Sequence, residues 1–149
     1  MKKKKVKTVS KAQRLKRLRT KCWEFMSLFT RLKWANPKGF VKCVTCNNIY
    51  HYAKMNAGHF IHGNKSHCYK YDYNEYMINP QCVRCNKWLH GNLINYVTFI
   101  TLKYGPEMIK LLQKEAELKY KLTEEELLKL LPELEAKATK AQNGEYNTI

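Results

Sequence analysis

The chain has 149 residues, with 28 Lys+Arg against 12 Asp+Glu and a formal charge of +16, a length that suits one domain or a small domain with appendages. Apolar residues make up 44%, enough for a modest core but not a large one. The longest uncharged run, Trp88 to Leu102, contains His90, Asn92 and Asn95, which argues against a membrane span, and the basic start is followed by no apolar h-region, which argues against a signal peptide and a secreted, disulfide-stapled fold.

Residues 1–21 hold eleven Lys/Arg and no acid. Residues 1–9 read as a disordered basic arm. Ser10 with Gln13 forms a capping box. Leu15, Leu18, Cys22, Phe25, Met26, Phe29 and Leu32 then recur at three- and four-residue steps, which predicts an amphipathic helix within residues 10–35 with cations on its other face. Asn36-Pro37-Lys38-Gly39 ends it in a turn. Short apolar runs follow at Phe40-Val41, Ile49 to Tyr52, Gly58 to Ile61 and Tyr76 to Ile78, each predicting a short strand. Helical spacing returns from Asn86 to Tyr104. Gly105-Pro106 stops that helix and starts another, and Thr123 with Glu126 caps a last one toward Ala141. The tail after Asn143 reads as frayed.

Charge divides the chain. Residues 1–105 carry 21 basic residues and three acids, Glu24, Asp72 and Glu75, whereas residues 106–149 carry seven basic and nine acidic ones. So positive a body calls for a polyanion, and nucleic acid is the commonest. The same count excludes nucleases that hold two metals with three or four clustered carboxylates. A metal site in this body must use His, Asn or Cys.

Cys43-Val44-Thr45-Cys46 and Cys82-Val83-Arg84-Cys85 are two C-x-x-C pairs. Each suits a tight knuckle, and two knuckles complete a tetrahedral Cys₄ zinc site. Redox pairs or disulfides are the other readings of such motifs, and two pairs in a basic chain favour zinc. Cys43, Cys46, His59 and His62 also approximate a finger spacing, but the His pair is one residue short and Cys82 and Cys85 are left without a role. Cys22 falls on the apolar helix face as a small buried hydrophobe.

Between the knuckles, Gly58-His59-Phe60 puts a His in a short strand. Asn86 follows the last cysteine, with His90 four residues on. If the helix begins at the knuckle, Asn86 and His90 share one face of its first two turns. His59 suits a general base, since imidazole titrates near neutral pH; a structural His is the bland reading. Asn86 suits a metal ligand through its side-chain oxygen, or a helix cap. His90 suits a second ligand or a phosphate contact. Asn64, Asn92, His62 and His67 read mainly as loop residues, and Asp72 and Glu75 mainly as exposed loop acids. Lys11, Arg14, Lys16, Arg17, Arg19 and Lys21 read as phosphate contacts. The tyrosines of Tyr69 to Tyr76 read as packing residues before base-stacking ones.

The order C-x-x-C, then Gly58-His59-Phe60, then Cys82-Val83-Arg84-Cys85-Asn86 resembles the HNH, or ββα-metal, nuclease motif of endonuclease VII type. Together with Ala57, Pro80-Gln81 and Gly91-Asn92-Leu93, it resembles the NinG/Rap recombination proteins of lambdoid phages, over about Ala12 to Ala141. Two positions depart from the HNH pattern: Gly58 stands where Asp or His often precedes the catalytic His, and Met77 stands where a middle Asn is usual.

The resemblance implies an α+β fold: a zinc-stabilised ββα-metal core over residues 36–105, a basic N-terminal helix and a helical extension over residues 106–149. It implies a structure-specific DNA endonuclease acting on branched recombination intermediates such as Holliday junctions and D-loops. Zn²⁺ would be structural, on Cys43, Cys46, Cys82 and Cys85. Mg²⁺ or Mn²⁺ would be catalytic, held by Asn86 and His90, with His59 activating water. The expected partners are branched DNA and a second copy through the acidic helices, with no membrane; the expected place is the cytoplasm of an infected host cell. The rival expectation is a zinc-dependent DNA-binding recombination accessory without catalysis.

Overall fold

The computed structural model describes residues 9–63 and 65–146. The expected arm (residues 1–9), the end of the expected frayed tail and Asn64 lie wholly or mostly outside that description. Helix α1 (Lys11–Leu32) starts where the capping box predicts, with the Ser10 hydroxyl accepting from the Gln13 N–H and the Gln13 side chain accepting from the Ser10 N–H. Its apolar face buries Cys22, Met26, Phe29 and Leu32. At the turn that follows, Asn36 Oδ1 accepts from the Lys38 and Phe40 N–H groups. Gly39 turns there with φ +80°, and a Cβ on it would stand 2.8 Å from His51 Nε2.

Two small antiparallel sheets come next. Strand β1 (Phe40–Lys42) pairs with β2 (Ile49–His51), and β3 (Met55–His59) pairs with β4 (Ile78–Cys82), His59 opposite Ile78 and Met55 opposite Cys82. The last two strands lie elsewhere than the apolar runs suggest: β3 starts earlier and stops at His59, and β4 starts where the predicted run ends. Asn79, Pro80 and Gln81 sit in β4 fully enclosed. The Asn79 and Gln81 side chains are held by specific partners, which apolar periodicity does not register.

The expected helix from the second knuckle is not continuous. Arg84–Trp88 makes one wide turn of π type, closed by Leu89 N–H to Arg84 O (2.9 Å) and followed by Gly91 N–H to Cys85 O (2.9 Å). His90, Gly91 and Asn92 then all take positive φ, which no L-residue helix continues through. Helix α2 begins only at Leu93 (Leu93–Tyr104). Asn86 and His90 therefore do not share a helix face. Gly105 caps α2, α3 is Glu107–Leu118, and α4 is Glu124–Gln142 behind the Thr123–Glu126 capping box.

The core joins the two ends of the chain. Helix α4 lies along α1 and buries Leu127, Leu134, Ala138 and Ala141. The Cys22 thiol donates to Leu127 O at 3.7 Å, and burial pushes it up to about 11. Tyr146 meets Phe29 edge-on. The apolar face of α4 is thus covered within the chain. Within the Tyr69–Tyr76 segment, Tyr71 is buried and the Tyr73 hydroxyl donates to His67 O, in line with the packing reading, whereas Tyr76 is exposed.

Candidate metal centre and cleft

The four knuckle cysteines converge. Their sulfur atoms all lie within 4.8 Å of one another, and none is in a disulfide. Cys46 Sγ and Cys82 Sγ are 3.8 Å apart, close to the edge of a tetrahedron built from Zn–S bonds of about 2.3 Å. The sulfurs also receive donors suited to thiolates. The Cys82 N–H donates to Cys43 Sγ (3.3 Å), the Cys85 N–H to Cys82 Sγ (3.4 Å), and Asn92 Nδ2 to Cys85 Sγ (3.4 Å). Thr45 Oγ1 lies 3.4 Å from Cys43 Sγ. Burial opposes ionisation of Cys43, yet the Thr45 hydroxyl and nearby N–H groups outweigh it and bring the thiol down to about 7. The donor set fits a zinc ion, with β4 and the wide turn carrying one knuckle and the loop after β1 the other. His59 and His62 are outside this cluster, so the finger arrangement does not form.

Beside this centre opens a cleft of about 1340 Å³. Helix α1 contributes Trp23, Ser27 and Arg31; β3 contributes Asn56 and His59; the segment after the second knuckle contributes Asn86, Lys87 and His90; α3 contributes Gln113 and Glu117. His62, Lys65, His67 and Lys119 complete the basic lining. His59, Asn86 and His90 thus face one space although they share no helix. Asn86 is half-buried and His90 exposed.

His59 is held from three sides. Its Nε2 lies 3.2 Å from Asp72 Oδ1, angled away from a straight hydrogen bond, and the Asp72 carboxylate is fully buried. The Trp23 indole stacks on it at 5.2 Å and 17°. Gly63 lies against the ring so closely that a Cβ there would meet it at 2.5 Å. Asp72 is therefore not an exposed loop acid. Its other oxygen accepts from the Tyr69 N–H at 3.1 Å. Glu75 does fit the loop reading: it is part-exposed and pairs with Lys137 at 3.5 Å. His67 also stacks on Trp23, at 4.0 Å and 6°, and burial lowers its pKa, with Asp72 opposing and His59 adding to the fall.

The two departures from the HNH pattern have physical reasons. A Cβ on Gly58 would stand 2.1 Å from Gln81 Oε1. Gln81 is itself buried and pinned by bonds from its Nε2 to Thr45 Oγ1 (3.1 Å) and Gly91 O (2.8 Å). Met77 is a core residue with no exposure. The asparagines beside it face elsewhere, Asn74 toward Glu115 and Asn79 toward Lys33.

Trp23 and Arg31 are not singled out by the sequence, and Gln81 enters it only as part of a motif, without a role. Arg19, Trp23, Ser27 and Arg31 do recur at four-residue steps, a second face of α1 that the apolar stripe overshadows. Of the expected phosphate contacts, Lys11, Arg14, Lys16, Arg17 and Lys21 are exposed on α1, though Arg14 lies 3.6 Å from Glu124. Arg19 is half-buried, with its Nε enclosed and without a hydrogen bond.

Fold and site together define a small basic α+β protein built on a four-cysteine centre able to bind a metal, with a histidine-bearing cleft beside it. Among the described residues no helix is long and apolar enough to cross a membrane. The family model described as "NinG: Bacteriophage Lambda NinG protein" matches residues 1–145. The chain belongs to that phage recombination-related family. No curated protein and no solved structure matches it.

Proposed function

We propose that this protein is a metal-dependent endonuclease that cuts branched DNA recombination intermediates, with a ββα-metal core of HNH type. The observation that carries the reading is His59, oriented by buried Asp72 and stacked on Trp23 in the wall of a basic cleft. A carboxylate only accepts hydrogen bonds, so Asp72 favours the tautomer with hydrogen on Nε2. Nδ1 is then the nitrogen that accepts a proton from water attacking the phosphodiester. The water oxygen bonds to phosphorus, the bond to the leaving oxygen breaks, and His59 takes the proton.

Asn86 and His90 line the same cleft as His59 and offer two neutral donors to a divalent ion. Mg²⁺ or Mn²⁺, when bound there, supplies charge stabilisation for the phosphorane and the leaving oxygen, and Mg²⁺ tolerates a sparse protein shell because it keeps several waters. Arg31, Lys65, Lys87 and Lys119 give the cleft the sign a phosphate backbone needs. The cations of α1 lend affinity without sequence preference. A four-way junction offers two equivalent strands, and a homodimer is the assembly this reading calls for.

The test is incubation of the zinc-loaded full chain with a labelled four-way junction, a flap and linear duplex, with and without Mg²⁺ or Mn²⁺. The expected result is Mg²⁺-dependent nicking of the branched substrates, abolished by His59→Ala with junction binding retained. Tight junction binding with no nick under any divalent ion would overturn catalysis and leave the non-catalytic DNA-binding accessory in its place.

A further inference from the structure

Of the three tryptophans, two have ring partners. Trp23 stacks on His59 and His67, and Trp34 lies between the ammonium groups of Lys33 (4.4 Å) and Lys103 (4.5 Å). Trp88 has no such partner among the described residues and is 74% exposed. A bare indole on a protein surface is uncommon. Its position is fixed all the same. It ends the wide turn that opens with Arg84 and Cys85, and the bonds from Leu89 to Arg84 and from Gly91 to Cys85 lock the backbone on both sides of it.

The surroundings choose the occupant. From residue 76 to residue 106 the chain has no acid. Arg84 and Lys87, both exposed, belong to the same turn as Trp88. Asn86, Lys87 and His90 line the cleft, while Trp88 and Leu89 between them leave it and stand outside. An exposed apolar ring on a turn that also carries two exposed cations, one of them lining a basic cleft, matches a base joined to a phosphate backbone. A segment without acids offers no ion pairs to a basic protein partner.

We propose that Trp88 is a specificity residue that stacks on an unpaired base at a DNA branch and so presents the neighbouring phosphodiester to the cleft. The inference rests on the DNA-binding reading above but not on catalysis. In continuous duplex every base is already stacked, so the indole finds no face to cover. At a fork or junction with an unpaired base it does. Stacking of this kind is worth about 1–3 kcal/mol per base. Because the turn is anchored at Cys85, little conformational freedom is lost on contact.

The experiment compares affinities of the zinc-loaded full chain, in Ca²⁺ so that cutting does not interfere, for a fork carrying one unpaired base and for duplex of equal length. Trp88→Ala should weaken fork binding by about 5- to 150-fold and leave duplex binding unchanged, with Trp88→Phe recovering much of the loss. A 5-bromouracil at the unpaired position should cross-link to Trp88. Zinc content and melting temperature should not move, since the side chain is exposed. Equal losses on both DNAs, or no loss on either, would overturn the inference while the DNA-binding reading stands. Dissociation of a dimer by Trp88→Ala, with fork preference kept, would make a second copy the occupant and overturn it too. Wild type that binds neither DNA would remove both readings.

Discussion

Asp72 Oδ1 lies 3.2 Å from His59 Nε2, and the carboxylate that makes this contact is wholly shut off from solvent. A buried charge is expensive unless a partner and hydrogen bonds compensate it, and Asp72 has an imidazole on one oxygen and the Tyr69 N–H on the other. Asp72→Asn preserves shape but replaces an acceptor-only group with an amide that can also donate. His59 can then be held in the wrong tautomer. Cleavage should fall by about 10²–10⁴ with junction affinity unchanged. Long-range ¹H–¹⁵N spectra of the His59 ring should show the proton redistributed from Nε2. Unaltered spectra and full activity would make Asp72 a buried cap and nothing more.

The four-cysteine centre should bind one zinc ion per chain, and Ser at Cys43, Cys46, Cys82 or Cys85 should unfold the two sheets, because metal binding is part of the folding free energy. Thr45→Val removes a hydroxyl that serves both Cys43 Sγ and Gln81 Nε2. It should weaken zinc affinity by about 10- to 100-fold, measured by competition with a chromophoric chelator. Metal-free protein that still melts cooperatively at the same temperature would count against the site.

Lys33 is 5% exposed, and its Nζ donates to Glu75 O (2.8 Å), Ile78 O (3.1 Å) and Asn79 Oδ1 (3.0 Å). Burial pulls it from 10.5 down to about 7, partly opposed by Glu75 and reinforced by Lys103 and Lys137. Between those two values the unfolded chain binds a proton that the folded one does not. This group therefore adds stability as pH rises from about 7 toward 10.5, at up to about 1.4 kcal/mol per pH unit, and the gain is lost as pH falls back through 7. Lys33→Met removes the donor these oxygens share, at about 1–3 kcal/mol for each buried acceptor left unpaired, and removes the slope. Denaturant melts of both proteins at pH 7, 8 and 9 should show the wild type pulling ahead; parallel curves would contradict the assignment.

Gly58→Asp, which writes the common HNH residue into this chain, should destabilise it instead of improving the metal shell. The new Cβ meets Gln81 Oε1 at 2.1 Å, and Gln81 is pinned by Thr45 and Gly91. Overpacking of this kind costs about 1–3 kcal/mol. Gly58→Ala should be destabilised for the same reason, and adding Gln81→Ala should recover part of the loss in thermal melts. Strict additivity of the two changes would mean they do not meet.

Local patterns in the sequence reached far into this fold. Both capping boxes, the Gly105-Pro106 break and the convergence of the four cysteines were readable because each depends on residues close together or on a fixed ligand chemistry. The wide turn at Arg84–Trp88 was not, since its residues look helical and only the positive φ values at His90, Gly91 and Asn92 end the turn. Asp72 was misread for a different reason. As one of three acids in a basic body it looked exposed, and only the tertiary placement of residues 65–73, with His67 stacked on Trp23, brings it against His59. Burial of a charge is a property of tertiary placement, which no local pattern encodes.

The pairing of α1 with α4 has a consequence for how the protein is made. The thiol of Cys22 finds its acceptor at Leu127, 105 residues later. A ribosome therefore exposes the knuckles and can complete the metal site while Cys22 and Phe29 still lack their cover. Chains stalled before Thr123 should hold zinc yet remain open to protease along the first helix. Helix α1 is synthesised before the knuckles yet is among the last elements to be secured.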